Sequence, residues 1–477
     1  MTPLRDILVR FGSEGLVRLC GLVSFPLLAR SLGADGYGVV IGTGAIAGLA
    51  MAGGGLGLSF HVARLLQGAD RAASARLLRS LLLITLAAGA GLALLVATCS
   101  PWLAQAFMPH PAAAAALVAV AASIVCGAAD GVLHEWLRAR HRFAAISGLQ
   151  AGQALLQLAA ILVTVLLHGG VVAVVAVVAI SQAARLAVVY ALLRRAGELT
   201  SPGLLARADL FRLVINASPV LTATLGGWVL TQGIRLVVGN RLDATALGAF
   251  GAAALIATGI GMIGSACWLP LYPRLARSVA HGHKGMTARA CRSFGRFFHL
   301  ASIPALALGA VLGGVALRCL AGSSFPEVDL ACVLLLASAY VEMAGMPWSY
   351  VVSAHGDAAH SRNAILLGCA LNLGLAVILT PLAGIAGAAG AVLAGQCATA
   401  AMNARTVASL GHRPLAFLPW PELATAAAAA LPAVLAALLL RHEGWGGLGV
   451  AGGAGVMVYA AVLALLRRRP MLRSALP

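Results

Sequence analysis

Arg18, Arg185 and Arg235 each interrupt an apolar run long enough to cross a bilayer. A charge at that depth costs ~2.5–3.5 kcal/mol on insertion scales, so each asks for a compensating role. A guanidinium presents a planar fork of donors that suits phosphate oxygens. Glu14 stands four residues before Arg18, the favourable order for a helical ion pair. The pair either neutralises itself near a helix end, or Arg18 meets an anionic ligand while Glu14 positions it or carries a coupling proton. Thr224, Trp228, Gln232 and Arg235 are spaced four, four and three apart, which places them on one helical face. Guanidinium, amide and flat aromatic surface together suit a phosphorylated sugar. Arg185 lies nearer a helix end, where it either joins this ligand set or reaches its head out to the interface.

Two amide-rich stripes follow the same helical spacing: Gln150, Gln153 and Gln157, and Gln396, Thr399 and Asn403. Such stripes serve either as substrate ligands or as hydrogen-bonding contacts between helices. Two carboxylates complete the set. Glu342 lies mid-run, and Asp130 lies toward the end of its run. Each is a candidate proton or ion carrier or a neutral structural acid, and Glu342 is expected to matter more for function because it sits deeper.

The elements that must hold these groups are membrane helices. Hydrophobic residues make up 61% of the 477 and charged residues only 10%, with a mean hydropathy of +0.94. Soluble domains carry about 25% charge and roughly 45–50% apolar residues, so this composition needs lipid as part of its solvent. Spanning runs separated by charged or Pro/Gly-rich breaks read as residues 7–32, 37–60, 77–98, 112–134, 145–167 and 170–193. A polar linker at 198–209 precedes runs at 214–238, 244–271, 295–317, 328–353, 364–380, 385–407, 423–440 and 446–466. The fold class is therefore an all-α polytopic membrane protein of about fourteen helices, at ~20 residues for each crossing.

The net charge of +18 is a topology signal. The basic residues fall in short clusters between apolar runs, not on the soluble face that a nucleic-acid binder needs. With fourteen spans, Arg71, Arg76, Arg79, Arg138, Arg140, Arg142, Arg274, Arg277, Lys284, Arg289, Arg292 and Arg467 to Arg469 share one side with both ends of the chain. Arg30, Arg241, Arg318 and Arg441 fall on the other. The positive-inside rule places both termini in the cytoplasm. The first apolar stretch is full-length and carries arginine, so it reads as a helix of the protein and not as a cleavable signal.

A repeat runs through the chain. Leu32-Gly33-Ala34-Asp35-Gly36-Tyr37-Gly38 aligns with Leu242-Asp243-Ala244-Thr245-Ala246-Leu247-Gly248, and the same displacement carries Arg64 onto Arg274 and Arg79 onto Arg289. Six helices separate the copies. Residues 1–210 and 211–420 are thus expected to be two six-helix lobes in parallel orientation, with two further helices and a tail at 421–477. Pro26, Pro219, Pro304 and Pro347 offer bending points, and Gly44/Gly48, Gly127/Gly131 and Gly309/Gly313 allow close helix approach.

The run Leu27-Leu28-Ala29-Arg30-Ser31-Leu32-Gly33-Ala34-Asp35-Gly36-Tyr37-Gly38, with its echo at 241–248, resembles the start of bacterial polysaccharide flippases of the multidrug/oligosaccharidyl-lipid/polysaccharide (MOP) exporter superfamily. The resemblance covers essentially the whole chain. It implies a V-shaped pair of lobes, alternating access, and an inner-membrane location. The implied substrate is an oligosaccharide linked through a diphosphate to a lipid, moved from the cytoplasmic to the periplasmic leaflet. A polysaccharide polymerase and chain-length machinery are the implied partners, and no cofactor or metal is expected. The drug-extruding branch and the lipid II flippases are the neighbouring alternatives; a cationic drug would want carboxylates in the cleft where this chain has arginines.

Other chemistry finds no support. Gly259-Ile260-Gly261-Met262-Ile263-Gly264 fits a dinucleotide pattern but has no strand before it. His134-Glu135 is followed at 138 by arginine, so no zinc motif forms. Lys284, the single lysine, precedes Gly285 and makes no phosphate-binding loop. The nine cysteines form no Cys-x-x-Cys pair. A membrane-embedded polymerase or ligase would want a long external loop with paired catalytic residues, and the inter-helix segments are too short to hold one.

Overall fold

The computed structural model describes residues 3–468 except 60, 61, 63–65, 67–69, 141, 200–202, 269, 323, 324, 326, 327, 357, 441 and 443. Phe60, Arg64, Arg441 and Arg469, used above to place spans, topology and repeat, lie outside the described residues. Among those described the chain is helical, without strands: α1 (Pro3–Gly54), α2 (Arg71–Thr98), α3 (Ser100–Phe107), α4 (Ala113–Ala119), α5 (Ala121–Ala139), α6 (Phe143–Leu166), α7 (Val171–Arg195) and α8 (Arg207–Trp228). A π turn (Val229–Gly233) leads into α9 (Ile234–Arg241), followed by α10 (Ala244–Trp268), α11 (Leu271–Ala280), α12 (Lys284–Ala321), α13 (Asp329–Ala354), α14 (Ala358–Ser409), α15 (Trp420–Leu439) and α16 (Trp445–Arg468).

Among the described residues, twelve helical stretches are long and apolar enough to cross a membrane. Two of them are double. Gly33 breaks α1 with φ 74° and ψ −179°, and Ala383 and Gly384 break α14, the latter at φ 56°. Counting both halves of each, the twelve become the fourteen segments expected from hydropathy. The left-handed φ at Gly33 and Gly384 is why glycine stands at both corners.

Two short helices fall where the sequence reads as loop. Helix α3 is too short to span, so hydropathy does not find it; its Ala106 carbonyl accepts from Asn240 Nδ2 at 2.9 Å. Helix α11 buries Leu271, Leu275 and Ser278 and exposes Arg274 and Arg277. Its buried side packs against α12 and α13, and Ser278 Oγ shares a hydrogen bond of 2.9 Å with Thr287 Oγ1 of α12.

The chain forms two compact units, residues 1–248 and 249–477. Helices α8 and α9 belong to the first because they pack closely on α1. A Cβ added at Gly48 would meet the Trp228 indole at 2.7 Å, and one at Gly57, in the turn that follows α1, would meet the Ala217 carbonyl at 2.8 Å. The closest approach is reciprocal. A Cβ at Gly38 would lie 1.8 Å from the Ala244 oxygen, and one at Gly248 would lie 2.1 Å from the Ala34 oxygen. Positions 34 and 38 are those that the repeat aligns with 244 and 248, so each copy of the motif presents its glycine to the other's alanine carbonyl. Leu78, Leu81, Val132, Leu133 and Trp136 centre a core in this unit.

The second unit has an aromatic centre. Trp268 and Phe298 lie 5.3 Å apart, and Phe298 stacks on Tyr340 at 5.7 Å. The terminal pair α15 and α16 docks on α12 through Leu312, Ala437 and Ala451. Pro304 explains a further contact. Lacking an N–H, it leaves the Leu300 carbonyl without its helical partner, and Tyr459 Oη donates to that carbonyl at 2.7 Å.

Candidate functional site

Glu14, Val17 and Arg18 from α1, Gln150, Gln153, Ala154 and Gln157 from α6, and Arg185 from α7 line one cavity of about 450 Å³. Three features read separately from the sequence therefore meet: the acid–base pair of the first helix, the first glutamine stripe, and the arginine of the sixth apolar run. The glutamines converge because α6 packs against α1 along its length and the 150/153/157 spacing keeps them on one side. All six polar groups are neither fully buried nor fully exposed, as cavity walls are.

Asp130 joins this set through Arg185. Its Oδ2 pairs with the Arg185 guanidinium, with side chains 27% and 19% exposed respectively. The pair bridges α5 and α7. Behind it lies a smaller void walled by Asp130, His134, Leu149, Gln150 and Arg185. Arg185 thus forms a wall common to both spaces.

Arg235, Gln232 and Trp228 lie elsewhere in the first unit. Arg235 is half-buried beside Tyr37, and its Nε has no hydrogen-bond partner. The π turn at 229–233 alters the face expected from even spacing. It inserts one residue between Trp228 and Arg235, which turns Arg235 by about 100° from its position on an uninterrupted α-helix. Thr224 and Trp228 precede the turn, Gln232 sits within it, and Arg235 follows it. The physical cause is local hydrogen bonding that periodicity cannot register.

Glu342 lies in the second unit on α13, half-buried. The stripe of Gln396, Thr399 and Asn403 lies on the second arm of α14. Thr399 Oγ1 bonds Gly395 O at 3.0 Å and reaches Ala364 O of the first arm at 3.4 Å, while Gln396 and Asn403 are buried.

A polar pair in the same unit was not singled out from the sequence. His299, only 2% exposed, shares a hydrogen bond of 2.8 Å with Tyr340 Oη across α12 and α13. An ionisable residue inside an apolar run was its signal, the same one that marked the arginines. The Asp130–Arg185 pairing had no such local mark. Among the described residues, no three His, Cys, Asp or Glu side chains cluster in a way that could hold a metal. The site's own chemistry is that of guanidinium, carboxylate and amide.

Residues 4–279, more than half of the chain, match the family described as "Polysaccharide biosynthesis protein". No curated protein matches the chain in sequence. Among solved structures, the lipid II flippase MurJ in an inward closed conformation superposes with a TM-score of 0.77 at 12% identity, over 96% of this chain and 98% of that one. An inward-facing multidrug resistance MATE family transporter of the MOP superfamily gives 0.66 at 15% identity, over 85% and 99%. A MOP superfamily transporter from Pyrococcus furiosus, described as having a binding pocket of reverse polarity, gives 0.55 at 14% identity, over 86% and 96%. At such identities the likeness establishes a common fold.

Proposed function

The chain belongs to the polysaccharide biosynthesis protein family, and on that premise we propose that it is a flippase for a lipid-diphosphate-linked oligosaccharide. The substrate would pass from the cytoplasmic to the periplasmic leaflet of the inner membrane by alternating access of two six-helix lobes, 1–210 and 211–420. Both termini are cytoplasmic in this reading, and the protein acts as a transporter without chemical turnover of its substrate. The observation that carries it is the 450 Å³ cavity, where Arg18 and Arg185 face three glutamines between membrane-spanning helices. Guanidinium groups at that depth suit a diphosphate, and side-chain amides suit sugar hydroxyls. Arg235, with Trp228 and Gln232, is proposed as a second contact for the anionic head and first sugar. Glu342 and Asp130 are proposed to serve the coupling ion.

A drug or cation antiporter shares the fold, but Arg18 and Arg185 on the cavity wall favour an anionic substrate over a cationic one. The test is glycan export in cells lacking the chromosomal gene, with membrane-inserted protein measured alongside. Arg18→Ala and Arg235→Ala are each expected to lower export per molecule about tenfold to a hundredfold, the scale of a lost hydrogen bond to a charged group. Lysine at either position keeps the charge but loses the planar fork, so export should fall only in part. Undiminished export by both alanine variants would remove these residues from the site. Reduced protein with unchanged export per molecule would assign them a structural role.

A further inference from the structure

We propose that Asp130 is a built-in competitor for the substrate's anionic head, held on Arg185 so that singly charged phosphodiester lipids cannot occupy the cavity. The proposal rests on the reading of the substrate as a lipid diphosphate. Arg185 lines the large cavity and at the same time pairs with Asp130. Arg18, the other guanidinium on the wall, has Glu14 one helical turn away on the same wall. The cavity wall thus carries two cations and one carboxylate, and a second carboxylate, Asp130, holds Arg185 from the smaller void, so the charges are close to balance. Without those carboxylates, two guanidiniums in a membrane cavity would attract any lipid phosphate, and ordinary phospholipids surround the protein in large excess.

With Asp130 on Arg185, a ligand must replace a carboxylate before it can use that arginine. A phosphodiester with one negative charge exchanges one anion for another and leaves Asp130, itself only 27% exposed, without its cation. That exchange gains nothing. A diphosphate carries two negative charges on adjacent phosphorus centres, so it can engage Arg18 and Arg185 together. Its extra charge offsets the release of Asp130. Discrimination here comes from a penalty on the wrong ligand as much as from attraction to the right one. Asp130 would act through Arg185, as a residue that sets specificity without touching the substrate.

The pair also joins α5 to α7, and a purely structural staple predicts the opposite results. The experiment uses the full-length protein in lipid nanodiscs of neutral headgroup, with farnesyl diphosphate as the probe and phosphatidylglycerol as the competitor. The wild type is expected to bind farnesyl diphosphate and to resist competition by phosphatidylglycerol. Asp130→Asn should bind farnesyl diphosphate several-fold more tightly and should now lose it to phosphatidylglycerol. Asp130→Glu should restore resistance. In an Arg185→Ala background, Asp130→Asn should change neither property. If Asp130→Asn does not accumulate, Asp130→Ser is measured against the same outcomes. Weaker binding by Asp130→Asn, unchanged resistance to phosphatidylglycerol, or an effect that persists without Arg185 would each overturn the competitor role while the lipid-diphosphate reading stands. Failure of the wild type to bind farnesyl diphosphate would overturn that reading, and the competitor role with it.

Discussion

Replacing Gly38 with alanine adds a single methyl group where the structure has no room for one. The new Cβ would stand 1.8 Å from the Ala244 oxygen, 2.7 Å from its carbonyl carbon and 3.0 Å from the Gly248 nitrogen. Real Cβ contacts essentially never fall below 3.0 Å, so the helices must part by at least about 1.2 Å there. All three obstacles are backbone atoms, and no rotamer change can move them aside. Over-packing of this kind costs ~1–3 kcal/mol, and a clash with rigid backbone belongs at the upper end. A loss of ~3 kcal/mol lowers the folded-to-unfolded ratio about a hundredfold. Gly44, six residues on in the same helix, has nothing within 4 Å of its added Cβ. Gly44→Ala should therefore be neutral or stabilising, since alanine is favoured over glycine within a helix by about 1 kcal/mol. Thermal melting of the purified proteins in one detergent, followed by size-exclusion chromatography, compares them directly. Gly38→Ala should melt well below the wild type and Gly44→Ala should not. Coincident melting of the two variants would show that the close contact at Gly38 does not govern stability.

Two further outcomes are expected. Reporter fusions at the amino terminus, at Lys284 and after residue 466 should all report the cytoplasm, because the arginine-rich segments share one side; export at any one of them would break the fourteen-segment topology. Tyr459→Phe removes the hydroxyl that satisfies the Leu300 carbonyl beside Pro304 and should cost ~1–3 kcal/mol, the penalty of a buried acceptor left unpaired. The same substitution at Tyr190, exposed on α7, serves as the control, and equal melting of the two would refute that role for Tyr459.

Much of this molecule is legible along the chain because its solvent is a bilayer. Lipid demands apolar helices of a set length, and most charges fall between them, so spans and breaks follow from composition in order. The breaks at 33–36 and 381–384 could be found for the same reason, whereas the left-handed φ at Gly33 and Gly384 that turns the chain there was a finding of the structure. The glutamines at 150, 153 and 157 were readable as one face because helical spacing is local. Their role was not, because a stripe has no partner until another helix faces it. Tertiary structure decided that Arg18, Glu14 and Arg185 complete the cavity, and that Arg185 is already engaged by Asp130 from another helix. It also decided that Arg235 is turned away from the even spacing by a π turn, and that helices 207–228 and 234–241 join the first compact unit. Periodicity records how a residue sits on its own helix; which residues meet depends on where glycine and alanine let two backbones close together, as at Gly38 and Ala244.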